Sequence, residues 1–398
     1  MAGVLPVLLG GDANVYGMAR SFYEAYGVHS VAVCKKTLPA LAHSRLVQAA
    51  VQNPRLEEDE VFTAALQALA GAYPDKTCLL VSCADGYTMQ LARCRKELAP
   101  LYRFACPPPE VVQSLGTKEG FAAVCAANGL RTPQSVTLAC GAPLPDLPFG
   151  WPVIVKPADS PAYWNCRFPG KRKVYLVQDR TELEQTVATV SQGGYTGALL
   201  LQEYIPGPDT ALGVVNAYCA RDGSVSWMVQ GQVLLQERTP EGVGNYGAIL
   251  TEPARQDTAL LASLAGLLRQ SGWHGFANFD FKYAPDGTPV LFEMNPRQGR
   301  ASYACTAAGA NLALPLVEDL VQEQPVTLPG LHPAVWHTAP WPLVRRRCPD
   351  KNLLRRAEEL RRNGCGCRHL LARGEGPARW MWYWVRQGAY GRKTRQER

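Results

Sequence analysis

The feature that most constrains the fold is a predicted β-hairpin formed by residues 278–282 and 290–297, which are joined by an Asp-Gly turn signal. Apolar and polar residues alternate in both stretches, so Glu293 and Asn295 share one face of their strand. Antiparallel pairing would hold Asp280 beside them, and two carboxylates with an amide oxygen suit a hard cation. The alternative is a polar face in solvent, but the interleaved aromatic residues predict a packed hairpin, where carboxylates need partners. The sequence therefore predicts a Mg2+ or Mn2+ site.

Length and composition are those of a globular protein with two or three domains. The 398 residues are 47% hydrophobic and 19% charged, and no apolar run reaches the ~18 residues that a membrane span needs. The N-terminus lacks a basic region before its short apolar run, so we interpret it as a first strand rather than a signal peptide. Thirteen cysteines are scattered without a paired CxxC framework, which predicts reduced thiols in the cytosol.

Charge is concentrated in the C-terminal tail. Residues 341–398 contain 16 Lys and Arg against 5 Asp and Glu, a balance of +11, whereas the rest of the chain has 25 against 29, or −4. Residues 379–386 mix tryptophans with arginines, a pattern that fits packing on the protein body, a membrane interface or an RNA face. We expect packing or peripheral contact with the inner face of the membrane, and no specific nucleic acid.

The N-terminal residues predict a strand, a Gly-Gly turn, a helix and a second strand, which is the start of a parallel α/β domain. The turn lacks the GxGxxG spacing, so a dinucleotide site is only weakly indicated. Asp85 follows a later buried strand, at the end of a parallel sheet where ligands bind, although it could equally cap the next helix.

Two lysines occupy positions that are unfavourable for a cation. Lys118 is predicted at a helix start, where its charge opposes the dipole, and Lys156 ends an apolar strand. Phosphate would explain both, whereas the alternative for Lys118 is a solvated surface lysine. Residues 159–173 follow as a cation-rich loop, which we interpret as a mobile flap over the phosphates rather than a disordered surface loop.

Three motifs resemble the bacterial D-aspartate ligase family of peptidoglycan synthesis, and a fourth, together with Asp280, resembles the metal-binding end of the ATP-grasp superfamily of carboxylate-amine ligases, which includes that family. They are GGDANVYGMAR at 10–20, GNY at 244–246, GFANFD at 275–280 and EMNPRQG at 293–299. The resemblance extends from about residue 5 to about residue 320 and is more specific to the superfamily than to the amino acid. It implies an α/β ATP-grasp fold, in which an N-terminal parallel α/β domain precedes two α+β lobes that enclose ATP and Mg2+. The basic tail would be a helical C-terminal appendage.

The resemblance also implies roles for residues outside the metal site. Around ATP we expect two phosphate-binding lysines, a strand end whose backbone clamps the adenine, and neighbouring polar groups: Lys118, Lys156, Gln202, Glu203, Tyr204, Ile205, Asp209 and Arg238. Around the amino-acid substrate we expect residues of the first-domain loops and of the segment after the hairpin: Asp12, Asn14, Arg20, Asp85, Arg300 and Ser302. Arg297 is expected to bind the transferred phosphate and Arg300 a substrate carboxylate, because the arginine fork suits both groups.

We predict four segments: an N-terminal α/β domain at 1–112, a small lobe at 113–200, a large lobe with the metal site at 201–328, and the appendage at 329–398. The expected reaction activates an amino-acid carboxylate as an acyl phosphate and couples it to an amine. By resemblance the acid is D-aspartate, and the amine belongs to a lysine of a nucleotide-linked muramyl peptide. The alternatives are another ATP-dependent amino-acid or dipeptide ligase and a non-catalytic nucleotide-binding scaffold.

Overall fold

The computed structural model describes residues 3–237 and 244–393 and begins with a four-stranded parallel sheet, in the order β3-β2-β1-β4. Every residue of the central strand β1 is buried, which explains its wholly apolar sequence. The predicted strand-turn-helix-strand start is confirmed. The elements are β1 Val4–Leu9, α1 Ala13–Tyr26, β2 Ser30–Cys34, β3 Val47–Gln52, α2 Asp59–Gly71, β4 Thr77–Ser82, α3 Asp85–Arg93 and α4 Arg95–Leu98.

A second sheet of four antiparallel strands follows, in the order β5-β8-β6-β7. Its elements are α5 Pro109–Gly116, α6 Lys118–Ala127, β5 Ser135–Leu138, β6 Val153–Pro157, α7 Ser160–Asn165, β7 Tyr175–Val177, α8 Arg180–Gln192 and β8 Leu199–Glu203. Helix α6 begins after Thr117, whose Oγ1 accepts a hydrogen bond from the Gly120 amide at 3.1 Å. All of β8 pairs within this sheet, so we propose that the small lobe ends after β8 rather than at residue 200.

The third sheet has seven strands, in the order β13-β12-β9-β10-β11-β14-β15. The predicted hairpin is confirmed as β12 and β13, which pair antiparallel and set Asp280 opposite Glu293. A register shift follows Asp280. Up to residue 320 the elements are β9 Leu212–Cys219, β10 Trp227–Gln236, β11 Tyr246–Thr251, α9 Thr258–Gln270, β12 Gly275–Tyr283, β13 Pro289–Asn295, α10 Tyr303–Ala307 and α11 Ala313–Leu320.

The predicted helical appendage is not confirmed, because the C-terminal segment adds two strands to the large sheet. Its elements are β14 Ala334–His337, α12 Trp341–Arg347, α13 Lys351–Arg362, β15 Gly366–Arg368 and α14 Pro377–Lys393. Strand β14 is buried throughout and pairs antiparallel with β11, and β15 pairs parallel with β14. In the part of the chain that is described, no helix is both long enough and apolar enough to cross a membrane.

The C-terminal segment also packs against helix α1, which contains residues 13–20 of the GGDANVYGMAR motif. The Tyr16 hydroxyl donates to Glu375 Oε1 at 3.0 Å and accepts from the Ala372 amide at 3.1 Å. A Cβ on Gly17 would lie 2.8 Å from the Cε1 atom of His369, so only glycine fits there without a shift. Part of this motif therefore serves to dock the tail.

Candidate active site

The hairpin brings together the three residues predicted to hold a metal. Tyr246 donates its hydroxyl to Asp280 Oδ1 at 2.7 Å, and Asn295 Nδ2 donates to Asp280 Oδ2 at 3.2 Å and to Asn278 Oδ1 at 3.0 Å. Glu293, opposite Asp280, is exposed toward the same opening. Because Asn295 presents its amide nitrogen to Asp280, its amide group would have to turn over for the oxygen to bind a cation.

The electrostatics of this pair favour a bound cation. Burial raises the pKa of Asp280 to about 7, and the nearby Glu293 carboxylate adds to the rise. Within residues 3–237 and 244–393, no cluster of three or more His, Cys, Asp or Glu side chains that could hold a metal is found. The available ligand set is therefore two carboxylates and one amide, which fits Mg2+ because this ion takes one or two carboxylates and keeps several waters.

A cavity of about 680 Å³ opens beside the hairpin. Helices α5 and α6, the hairpin, and strands β11 and β14 each contribute to its wall. Its charged lining residues are Asp85, Lys118, Lys173, Glu237, Asp280, Glu293, Arg297 and Arg300. Seven of these, all but Glu237, are site or flap residues predicted from the sequence, and they come from segments far apart in the chain.

Two of the predicted phosphate ligands form a pair of adjacent cations. Lys118 lines the cavity, and Lys156 donates from Nζ to Gln202 Oε1 at 2.8 Å across the small sheet. Burial lowers the pKa of Lys156 to about 8, and the charge of Lys118 lowers it further. Burial also lowers the pKa of Lys118. Two partly desolvated cations side by side are stabilised by an anion, as the sequence predicted.

The residues predicted to clamp adenine lie at the end of β8 and beyond the cavity lining. The Glu203 amide donates to the Gln134 carbonyl at 2.9 Å, and the Ile205 carbonyl accepts from Lys282 Nζ at 3.0 Å. Lys282 Nζ also lies 5.6 Å from the centre of the Tyr204 ring. Two of the backbone groups expected to recognise adenine are thus already bonded, and the clamp stays a prediction.

Three further nucleotide predictions have different outcomes. Gln202 holds Lys156 and donates from Nε2 to Ser135 Oγ at 3.1 Å, so its side chain supports the lysine. Asp209 Oδ2 accepts from the Gln236 amide at 3.2 Å, which is a structural bond at the end of β10. Arg238 lies outside the described residues.

The cation-rich loop at 159–173 reaches across the cavity. Trp164 and Lys173 line it. A Cβ on Gly244 would lie 3.2 Å from Lys173 Nζ, so the loop meets the segment before β11 on the opposite side of the opening. This placement is the one expected for a covering flap.

Arg297 joins the hairpin end to the first sheet. Its Nη2 donates to Asp85 Oδ2 at 3.2 Å, and its Nε lies 3.0 Å from Asp85 Oδ1 without hydrogen-bond alignment. Arg297 Nη2 also donates to Asn295 Oδ1 at 3.2 Å. Arg300 lies one turn further on, exposed and lining the cavity. The structure therefore brings together Asp85, Arg297 and Arg300, all predicted site residues.

Other predicted substrate residues do not line the cavity. Arg20 is buried and donates from Nη1 to the carbonyls of Arg368 and His369 at 2.7 and 3.0 Å, so it binds the C-terminal segment instead. Asp12 caps α1 by accepting from the Asn14 amide at 3.0 Å.

Asn14 and Ser302 are likewise buried outside the lining. Asn14 Nδ2 donates to the carbonyls of Cys83 and Gln298 at 3.0 and 2.9 Å, which fixes the first loop to the segment after the hairpin. At the start of α1, Ala13 lines the cavity. Its methyl side chain has no polar group, so the sequence offered no reason to predict Ala13 as a site residue.

The structure adds site residues that sequence reasoning missed. Tyr246 and Asn278 bond directly to the predicted metal ligands Asp280 and Asn295 and lie inside quoted motifs, so motif membership was an available signal. Trp336 and Thr338 form one wall of the cavity. They had no signal, because the tail that contains them was interpreted as a separate appendage.

Comparisons with known proteins identify the family and the fold of this chain. A D-aspartate ligase from Enterococcus faecium (strain Aus0004) is 36% identical over 332 residues, which cover 81% of this chain and 77% of that protein. An L-amino acid ligase structure from Bacillus licheniformis has a TM-score of 0.56 and 18% identity, over 80% of this chain and 74% of that chain. No protein-family model matches the chain.

A third similar structure is the biotin carboxylase domain of the 2-oxoglutarate carboxylase from Hydrogenobacter thermophilus, solved with MgADP, ADP and bicarbonate. It has a TM-score of 0.58 and 14% identity, over 83% of this chain and 73% of that chain. At identities this low, the likeness to both solved structures shows the shared fold alone.

Proposed function

The chain belongs to the D-aspartate ligase family and has the ATP-grasp fold, and from this premise we propose that it is an ATP-dependent ligase that forms an amide between an amino-acid carboxylate and an amine. The observation that supports the proposal most strongly is that a pair of carboxylates and a pair of lysines meet at one cavity. Asp280 and Glu293 need a cation, and Lys118 beside Lys156 needs an anion. Mg2+ and the triphosphate of ATP satisfy both needs together.

The reaction follows in two displacements at this cavity. A carboxylate oxygen of the amino acid attacks the γ-phosphorus of ATP, and ADP leaves to give an acyl phosphate. The amine nitrogen then attacks the acyl carbon, phosphate leaves, the nitrogen loses a proton and the amide forms. Mg2+ held by Asp280, Glu293 and Asn295 would neutralise phosphate charge when bound.

The protein's own contribution is position and charge rather than covalent chemistry. Lys118 and Lys156 would hold phosphate oxygens. Arg297, which pairs with Asp85 at the end of the hairpin, would meet the charge that develops on the transferred phosphate. Trp164 and Lys173 line the cavity, and their loop would cover it and keep water from the acyl phosphate.

We propose D-aspartate as the amino acid, as the name of the similar Enterococcus protein suggests. After activation of one carboxylate, a dicarboxylic acid keeps a second, and the exposed Arg300 offers it a partner in the same cavity. The proposed acceptor is a lysine side chain of a nucleotide-linked muramyl peptide, and all thirteen cysteines are free thiols, in accord with action in the cytosol.

The test is an amino-acid screen with ATP, Mg2+ and the muramyl peptide, followed by mass spectrometry of the peptide. A gain of one aspartyl residue with the D-isomer and not the L-isomer supports the full proposal. An adduct with a different amino acid would keep the ligase chemistry and reject the named substrate. Nucleotide binding without phosphate release under any condition would favour the scaffold alternative.

A further inference from the structure

Helix α14 exposes a continuous apolar face. Trp380, Met381, Trp384 and Val385 are 41%, 69%, 53% and 65% exposed, and their spacing puts them on one side of the helix. They are four of the nine large hydrophobic side chains found exposed in the described residues. Single exposed apolar residues are ordinary, whereas a cluster of this kind marks a contact surface.

The other side of α14 is anchored, so the apolar face cannot turn inward. Arg379 is fully buried and donates to the carbonyls of Leu370 and Ala42 at 3.1 and 2.7 Å. Tyr383 is buried beside it, and Gln387 Nε2 donates to the Thr338 carbonyl at 2.9 Å. The helix is thus held at three points along the side opposite its apolar face.

The surroundings of the apolar face are cationic. Helix α14 contains no Asp or Glu. Arg392 is exposed and, three turns from Met381, falls on the same side of the helix. The Arg368 guanidinium lies 5.4 Å from the centre of the Trp384 ring. Tryptophans fringed by arginines match a surface that is apolar inside and anionic at its boundary.

We propose that this face, formed by Trp380, Met381, Trp384 and Val385, docks onto an anionic lipid surface. A second copy of the chain fits less well, because a two-fold interface would place the same cations opposite one another. An anionic bilayer instead attracts each of them. Thr338, which α14 holds, lines the active-site cavity, so docking would keep that cavity next to the membrane surface.

The test is flotation of the full-length protein, without nucleotide, on vesicles of phosphatidylcholine alone or with ~30% phosphatidylglycerol. Wild type should float with the anionic vesicles at low salt and be released as salt rises, because exposed charges are screened within about 10 Å at 0.1 M salt. W380S/W384S should weaken binding at least tenfold. Arg392→Gln should weaken it about fivefold, the contribution of one cation near the surface.

Matched controls come from exposed apolar residues elsewhere. W151S and L101S remove side chains that are each 42% exposed, and both variants should bind the vesicles like wild type. Equal recovery on neutral vesicles, no recovery on either kind, or a W380S/W384S variant that floats like wild type would each overturn the proposal. So would a dimer in sedimentation that W380S/W384S abolishes. Amide formation in solution is independent of this outcome, so the ligase proposal is tested separately.

Discussion

The hairpin with the predicted metal ligands and the C-terminal segment both contain carboxylates, but the surroundings of these carboxylates differ. In the hairpin, burial and the facing Glu293 carboxylate raise the pKa of Asp280. The hydrogen bonds that Asp280 accepts from Tyr246 and Asn295 do not offset this rise. In the C-terminal segment, Glu375 accepts hydrogen bonds from the Tyr16 hydroxyl, the Ser44 hydroxyl and the Arg45 amide at 3.0, 2.8 and 2.9 Å. A carboxylate whose charged form is disfavoured in spite of its hydrogen bonds indicates chemistry, whereas a carboxylate held by a complete set of hydrogen bonds indicates architecture.

The largest expected effect separates activity from stability in the hairpin. Glu293→Gln removes a proposed metal ligand while keeping the shape of the side chain, so turnover should fall about 10²- to 10³-fold. The unfolding temperature should change little, because the variant loses the repulsion with Asp280 and also the attraction of Glu293 for Lys118 and Lys156. Steady-state kinetics and calorimetry measure the two quantities, and Glu60→Gln, an exposed carboxylate on α2, is the control. Activity within a few-fold of wild type would remove Glu293 from the metal site.

The second prediction concerns the C-terminal segment, where a substitution should lower stability. His369 is fully buried between Tyr16, Tyr303 and Trp336, and Nε2 must carry the hydrogen because it meets the Ala13 carbonyl at 2.9 Å. Burial lowers the pKa of His369 to about 3, so the ring is neutral.

His369→Ala should therefore lower the free energy of unfolding by about 2–4 kcal/mol, through a cavity and a lost buried hydrogen bond. Denaturant titration measures this loss, and the exposed His332→Ala is the control. If both variants are equally stable, the segment is an appendage after all.

A smaller effect tests the contact between the first motif and the tail. Gly17→Ala would place a methyl group 2.8 Å from His369 Cε1 and 3.2 Å from Tyr303 Cβ, and should destabilise by about 1–3 kcal/mol. At Gly86, in α3, an added Cβ meets nothing within 4 Å, so Gly86→Ala should be neutral or stabilising. In the double variant with His369→Ala the cost of Gly17→Ala should shrink, and strict additivity would contradict the contact.

The smallest effect is a pH dependence at the lysine pair. Because the folded pKa of Lys156 is lowered from 10.5 to about 8, this group destabilises the nucleotide-free fold below pH 8, and the loss is recovered as pH rises toward 10.5. Phosphate favours the protonated lysine, so ATP affinity should fall by up to about tenfold per pH unit above 8. Calorimetry in two buffers would detect proton uptake on binding. Lys156→Met should abolish that uptake, and its persistence would assign it elsewhere.

These two regions also show how far the sequence could be interpreted. The hairpin was predictable because alternation, a turn signal and ligand spacing all lie within twenty residues. Strand β14 has four residues and pairs with β11 across a long stretch of chain, so no local pattern identified it. The basic charge of the C-terminal residues suggested a separate appendage, but the pairing of β14 with β11 makes this segment part of the large sheet.

Arg20 shows the same limit within a motif. The family resemblance suggested substrate binding by Arg20, but its guanidinium binds the carbonyls of Arg368 and His369. The residue type correctly indicated that Arg20 binds acceptor oxygens. It could not indicate which oxygens, because these partners lie at the far end of the chain. The lysine pair, in contrast, was predictable from the local sequence. Lys156 ends an apolar strand, where a cation is costly without a partner anion.

The most direct test of the central claim follows oxygen from the amino acid into phosphate. With D-aspartate labelled with 18O in its carboxylates, together with ATP, Mg2+ and the acceptor peptide, an acyl-phosphate route breaks the bond between the acyl carbon and the labelled oxygen. Mass spectrometry should then find one 18O in the released phosphate for each amide formed. Amide formation with unlabelled phosphate, or phosphate release without an amide, would contradict the account.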